Sequence, residues 1–190
     1  MRMVLVFVLG VAFGFGLSQV PKMRTQLRAS THGGQRNATT NVNDLAHTQE
    51  RFAFTAHAAL EEVASLMGAD KERLWAPGWN PKFIYPAPAS DKQGMVFAVA
   101  HGDRNSVWVN TEFNRKMGRI QYVYVLPDML ATVITLQLTP EGRDTRVEVE
   151  YDRTALSAEQ NAKVRGMAEQ DRNAGAEWQQ QINEYLQGHN

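Results

Sequence analysis

The chain contains no cysteine, which excludes a disulfide framework, a cysteine nucleophile and any thiolate-ligated metal. It has no excess of either charge, since 20 Lys and Arg balance 20 Asp and Glu over 190 residues. Aromatic residues make up 9% and charged residues 21%, a composition that argues against wholesale disorder. No two histidines are spaced as ligands on one helix face, and no G-x-S-x-G, phosphate-cradling or dinucleotide-binding glycine motif occurs. No metal and no cofactor are expected.

The charge balance conceals an asymmetry. Residues 1–30 carry Arg2, Lys22, Arg24 and Arg28 with no acid, so the remainder holds 16 basic and 20 acidic side chains. A domain of that balance has no broad basic field, which argues against nucleic acid as a partner. Met3 to Leu17 (MVLVFVLGVAFGFGL) has neither a charge nor a hydrogen-bonding side chain, and Val20 extends the stretch. A bilayer core takes about 20 mostly apolar residues in a helix. Residues 1–21 therefore read as a signal peptide or a short membrane anchor, with Arg2 as the positive flank. Gly16 and Ser18 have the small size that cleavage needs, but there is no A-x-A, and Lys22, Arg24 and Arg28 on the far side resist translocation. We expect an apolar leader helix that anchors the chain through residues 3–20. Export after cleavage, or a cytoplasmic protein begun at Met23, are the alternatives. Residues 22–43, rich in Thr, Asn, Gly and Gln, read as a polar tether.

From residue 44 the patterning tightens into a single domain, 44–190. Phe52, Phe54 and Ala56 alternate as a first strand, and Ala58 to Met67 is helical, with Gly68 placed to stop it and Asp70 to cap the next short turn. Six further strands follow between turn signals, each alternating apolar and polar positions. They centre on Lys82–Tyr85; Met95, Phe97 and Val99; Val107, Val109, Thr111 and Phe113; Ile120, Tyr122, Tyr124 and Leu126; Leu130 to Leu138; and Thr145 to Tyr151. Their short connections imply an antiparallel meander. Ser157 to Leu186 reads as one long helix with a capping box, Ser157 and Gln160, and a core face of Val164, Met167, Asp171, Ala174, Trp178, Ile182 and Tyr185. The fold class is α+β, a curved antiparallel sheet of about seven strands wrapped on a long C-terminal helix.

That order resembles the START-like (SRPBCC) superfamily of helix-grip domains, which includes polyketide cyclases and lipid-transfer domains. The resemblance rests on Trp75-Ala76-Pro77-Gly78-Trp79-Asn80-Pro81, Gly94-Met95-Val96-Phe97, Arg119-Ile120-Gln121-Tyr122-Val123, Thr145-Arg146-Val147-Glu148-Val149 and Glu177-Trp178. It spans residues 50–187, is similar to bacterial members, and implies a hydrophobic ligand held between helix and sheet. These stretches mark a fold and not a catalytic centre.

The cavity candidates are Trp79, Phe97, Val109, Tyr122, Tyr124, Ile134, Met167, Asp171 and Trp178, the residues whose phase points them between sheet and helix. Trp75 and Trp79 could form an aromatic lip at a pocket mouth, or close one end of the sheet. Asp171 stands where an amphipathic helix should show bulk, because Ala174 and Gly175 beside it are small. It could contact ligand, pair with an Arg or Tyr of the sheet, or sit half exposed at a phase drift. His101, near a strand end, is the acid–base candidate because its pKa lies near neutrality; a solvated loop residue is its alternative. His32, His47 and His189 fall in segments read as flexible. Glu61 with Glu62, and Glu148 with Glu150, are pairs on solvated faces. No catalytic residue is assigned.

The expected function is binding, and carriage, of a hydrophobic or amphipathic small molecule such as a lipid. A cyclase or dehydratase enzyme and an interaction module with a filled cavity are the alternatives. No oligomeric state follows from the sequence. The leader generates a test of its own: full-length protein should sediment with membranes, and protein lacking residues 1–43 should remain soluble and folded. Full-length protein found in the soluble fraction with its leader intact would remove the anchor.

Overall fold

A computed structural model of the chain describes residues 44–189; the expected leader and tether lie outside them. Period-two alternation produces seven strands, β1 (His47–Ala56), β2 (Lys82–Tyr85), β3 (Val96–His101), β4 (Arg104–Asn114), β5 (Arg119–Leu126), β6 (Leu130–Glu141) and β7 (Asp144–Ala155). Period-3.6 patterning produces α1 (Leu60–Leu66), α2 (Asn161–Asn173) and α3 (Gly175–His189). All seven strands join one curved antiparallel sheet in the order β1-β7-β6-β5-β4-β3-β2. The first two strands thus form opposite edges, and residues 57–81 must cross from one to the other. That crossing, together with α2 and α3, covers the apolar face of the sheet. No helix among the described residues is long and apolar enough to cross a membrane.

β7 shows how alternation sets the two faces. Thr145, Val147, Val149, Tyr151, Arg153 and Ala155 are buried, while Arg146 and Glu148 are exposed. Outward charges pair between the two strands at the edge of the sheet, Arg51 with Glu150 and His47 with Asp152, while on the inner face Arg172 of α2 pairs with Glu50. His47 therefore belongs to β1 and His189 to α3, instead of to flexible segments.

β4 runs one residue out of the expected phase. Ser106, Trp108 and Asn110 are buried, Val107 is 46% exposed, and Val109 lies on the outer face with it. A bulge between Asn110 and Glu112 then shifts the register, which returns Phe113 to the core. The alternating Val107, Val109, Thr111 and Phe113 therefore do not share one continuous face: the bulge divides them between two. Outside, Val109 stands between Val96 and Val123, and Val107 between Ala98 and Val125.

Three expected helix signals also resolve differently. The C-terminal helix is interrupted at Ala174, whose N–H donates to the Asp171 carbonyl at 3.3 Å, a tighter i→i−3 bond. Gly175 allows the break and the contact, because a Cβ there would lie 3.1 Å from the Phe52 ring. Ser157 makes no side-chain cap; helix α2 begins at Asn161, whose amide instead accepts from Ala46 N (2.6 Å) and donates to the Asp44 carbonyl (2.8 Å). Asp70 does not cap the short 3-10 turn Lys71–Leu74. Its role is taken by Asp91, whose carboxylate accepts from the N–H groups of Asp70 (2.9 Å) and Lys71 (3.3 Å). Gly68 is needed for that arrangement, since a Cβ there would collide with the Asp91 side chain.

Candidate functional site

The space between sheet and helices is filled mainly by aromatic rings. One cluster joins Trp79 to Phe97 (5.9 Å between centroids) and Trp108 (5.7 Å), with Trp108 stacked on Tyr124 at 4.1 Å. A second joins Trp178 to Phe52 (5.4 Å), Phe54 (6.3 Å) and Trp75 (5.4 Å). Both loop indoles are buried, so they form no lip at a pocket mouth. Their N–H groups donate backward over 2.7 Å, Trp75 to the Leu66 carbonyl and Trp79 to the Ala69 carbonyl. The Trp75 bond satisfies a carbonyl that the end of α1 leaves without an intrahelical donor. The W-x-P-G-W-x-P stretch is a latch that holds α1 and the following turn onto the sheet.

Between the two clusters lies an internal cavity of about 10 Å³, lined by Met67, Glu72, Trp75, Tyr122, Ile134, Leu136 and Trp178. That volume accommodates about one water molecule. Of the nine residues expected to face a cavity, Tyr122, Ile134 and Trp178 line it. Trp79, Phe97 and Tyr124 belong to the neighbouring aromatic cluster, Met167 is buried on α2, Asp171 pairs elsewhere, and Val109 faces outward. Larger depressions of about 450 and 350 Å³ are open to solvent. The first is lined largely by the charges Arg51, Arg146, Glu148 and Glu150, which pair with one another.

Glu72 is the polar group that the sequence did not single out. It lies in a Lys-Glu-Arg run yet is only 4% exposed. Its carboxyl faces the cavity without a hydrogen bond from any described side chain or N–H group. Burial, and secondarily the Asp91 carboxylate, push its pKa well above the ordinary 4.5. Tyr122 donates its hydroxyl to the Met67 carbonyl at 2.9 Å; burial and then the charge of Glu72 raise its pKa well above the usual phenol range.

A second polar cluster ties sheet to helix. The Arg153 guanidinium donates to both oxygens of Asp171, at 2.6 and 2.8 Å, and its third nitrogen donates to the Tyr124 hydroxyl (2.5 Å) and Thr132 Oγ1 (3.1 Å). Arg153 is 0% and Asp171 2% exposed. Burial opposes the charge on Arg153, but Tyr124 and Asp171 more than offset it, and the guanidinium is held charged. The same guanidinium lies 4.5 Å from the centre of the Tyr151 ring. The Tyr151 hydroxyl is a buried polar atom without a hydrogen-bond partner among the described residues, beside Ile134 on the adjacent strand. His101 Nε2 lies 2.8 Å from Ser106 Oγ, a bond that belongs to the β3–β4 hairpin, and burial lowers its pKa. It does not line the cavity. No group of acids and histidines among the described residues could hold a metal.

No family model matches the sequence, and no curated protein matches it. Solved structures do. Norcoclaurine synthase from Thalictrum flavum superposes with a TM-score of 0.57 over 88% of this chain and 100% of its own, at 10% identity; the same enzyme is also known in complex with dopamine and hydroxybenzaldehyde. A protein from Rhodobacter sphaeroides gives 0.53 over 80% and 97% at 15% identity. Ara h 8.0201 gives 0.52 over 76% and 100% at 12% identity. The chain therefore has the helix-grip fold. At these identities the likeness extends to architecture alone.

Two outcomes follow from the polar groups. Asp171→Asn leaves a buried guanidinium without its counter-charge and should cost about 3 kcal/mol in urea unfolding, whereas a loss under about 0.5 kcal/mol would mean the pair is not structural. Glu72 binds its proton more tightly folded than unfolded, so between its ordinary and its raised pKa the native state holds more protons. Stability should therefore fall as pH rises through that window and recover on acidification. Half-buried Asp91, raised mainly by burial, contributes in the same sense. Glu72→Gln should flatten this dependence and be more stable than wild type at neutral pH; urea midpoints measured from about pH 5 to 8 would expose a wild type already flat.

Proposed function

We propose that the domain binds an apolar or amphipathic small molecule between the sheet and the C-terminal helices, in an open form of the core described here. On this reading it is a START-like domain of the ligand-binding kind. The observation that carries the reading is two polar groups inside an aromatic core: the Tyr151 hydroxyl, which has no hydrogen-bond partner among the described residues, and the buried Glu72 carboxyl, which lines the cavity. Burying a polar group without a partner costs about 1–3 kcal/mol, so a core that served only to pack would gain by replacing both with apolar side chains of similar size. A bound molecule gives them a use. The walls that would part to admit it are Trp75 and Trp178, which meet across the cavity from the crossing segment and from α3. Apolar ligand surface taken from water then contributes about 25 cal/mol per Å², and the two polar groups set orientation.

The small cavity favours a second reading, an interaction module whose core is filled by its own side chains. A cyclase-like enzyme is supported less, since His101 stands away from the cavity and no basic group among the described residues pairs with Glu72 to exchange a proton. Residues 3–20 would hold the domain on a membrane, which suits a water-insoluble ligand. Native mass spectrometry of full-length protein extracted in mild detergent tests the binding reading. A discrete added mass that disappears on denaturation is expected, and bare protein from several expression hosts would favour the filled module.

A further inference from the structure

The charge around Glu72 is incomplete. The carboxyl is nine-tenths buried and faces the cavity. Asp91 adds negative potential from the loop before β3. Among the described residues no cation pairs with the Glu72 carboxyl: Arg153 holds Asp171 through two bonds, and Arg73, the next residue in the chain, lies over the Phe83 ring and reaches Asp70 and the Pro81 carbonyl. Lys71, which precedes Glu72, is exposed to solvent. The remaining titratable groups that act with Glu72 are the phenols of Tyr122 on β5 and Tyr151 on β7, and neither carries positive charge. What surrounds the carboxyl is instead aromatic. Trp75 and Trp178 line the cavity with their rings 5.4 Å apart and inclined at 60°. Tyr122 has spent its hydroxyl on the Met67 carbonyl, so it offers the cavity its ring.

A carboxyl walled by two indoles and a phenol is a receptor for a cation. We infer that Glu72, Trp75 and Trp178 receive the head of a protonated amine, and that the ligand is an amphipathic amine whose apolar part lies between sheet and helices. The inference rests on the binding reading above and names the chemical class that this site would take. An ammonium head gains a charge-assisted hydrogen bond from the carboxylate and attraction from the negative faces of the indoles, both strengthened by the dry surroundings. An alcohol of the same chain gains a neutral hydrogen bond only. A carboxylic acid places like charges together. The cavity of about 10 Å³ has room for about one water, so the two indoles separate to make room for the head and the chain behind it.

Decylamine, decanol and decanoate, at concentrations below micelle formation, isolate the head group at constant tail. By calorimetry and tryptophan fluorescence, wild-type protein should bind decylamine tighter than decanol by a factor on the order of ten or more, and decanoate weakest. Binding the amine should release protons, as Glu72 gives up its proton to pair with the ammonium, read by repeating the titration in buffers of different ionisation enthalpy. In Glu72→Gln the amine-to-alcohol ratio should fall to near one. If that variant fails to fold, the wild-type ratio and proton release decide alone. Equal affinities for amine and alcohol, or decanoate the tightest, overturn the amine assignment and leave the binding reading standing. Failure of all three to bind overturns both.

Discussion

The bidentate pair of Arg153 with Asp171 is the contact on which the arrangement of helix and sheet depends. It joins β7 to α2, and Tyr124 on β5 and Thr132 on β6 complete the guanidinium's bonds. A helix can lie across a curved apolar sheet at several rotations with similar hydrophobic gain, because that gain has no direction. An ion pair with two hydrogen bonds in a dry site does have direction. Rotating α2 by one residue would strand both charges. With α2 held in phase, the break at Ala174 and the close approach of Gly175 to Phe52 bring α3 down so that Trp178 meets Phe52 and Trp75.

The rest of the closure comes from the segment that links the two edge strands. Because β1 and β2 sit at opposite ends of the sheet order, this segment has to span the open face, and its own polar backbone must be satisfied there. Trp75 and Trp79 do both, giving apolar surface to the core and indole N–H groups to two buried carbonyls, Leu66 at the end of α1 and Ala69 in the turn after it. Asp91 completes the work from outside by capping the 3-10 turn. The result is a nearly full core in which Glu72 and Tyr151 stand out, since they take no part in this satisfaction.

Much of the architecture is legible from residue order. The clean alternation of Thr145 to Tyr151, the turn signals between strands and the apolar stripe from Val164 to Ile182 lead directly to sheet and helix. Continuing the same alternation past Tyr151 reaches Arg153, so the partner of Asp171 could have been read from phase. β4 was not legible, because valines at 107 and 109 look like a core face while the true core face is Ser106, Trp108 and Asn110. A strand whose outer side is also aliphatic has lost the contrast that the method relies on. Glu72 was not legible either. Lys71, Glu72 and Arg73 are alike in local sequence, and only the fold buries the middle one.

What the sequence determined by itself is therefore periodic and local: seven strands, their antiparallel order, the C-terminal helical stretch and the uncharged segment 3–20. These follow from alternation and composition, which act between near neighbours in the chain. Tertiary structure decided which side of β4 faces inward, where the long helix breaks, that the loop indoles turn into the core, and that Glu72 faces a cavity from a polar turn. Each of those is settled by a contact between residues far apart in sequence, Trp79 with Trp108, Phe52 with Gly175, Trp75 with Trp178, Asp91 with Asp70. Their energies exist only once the curved sheet has brought the partners together.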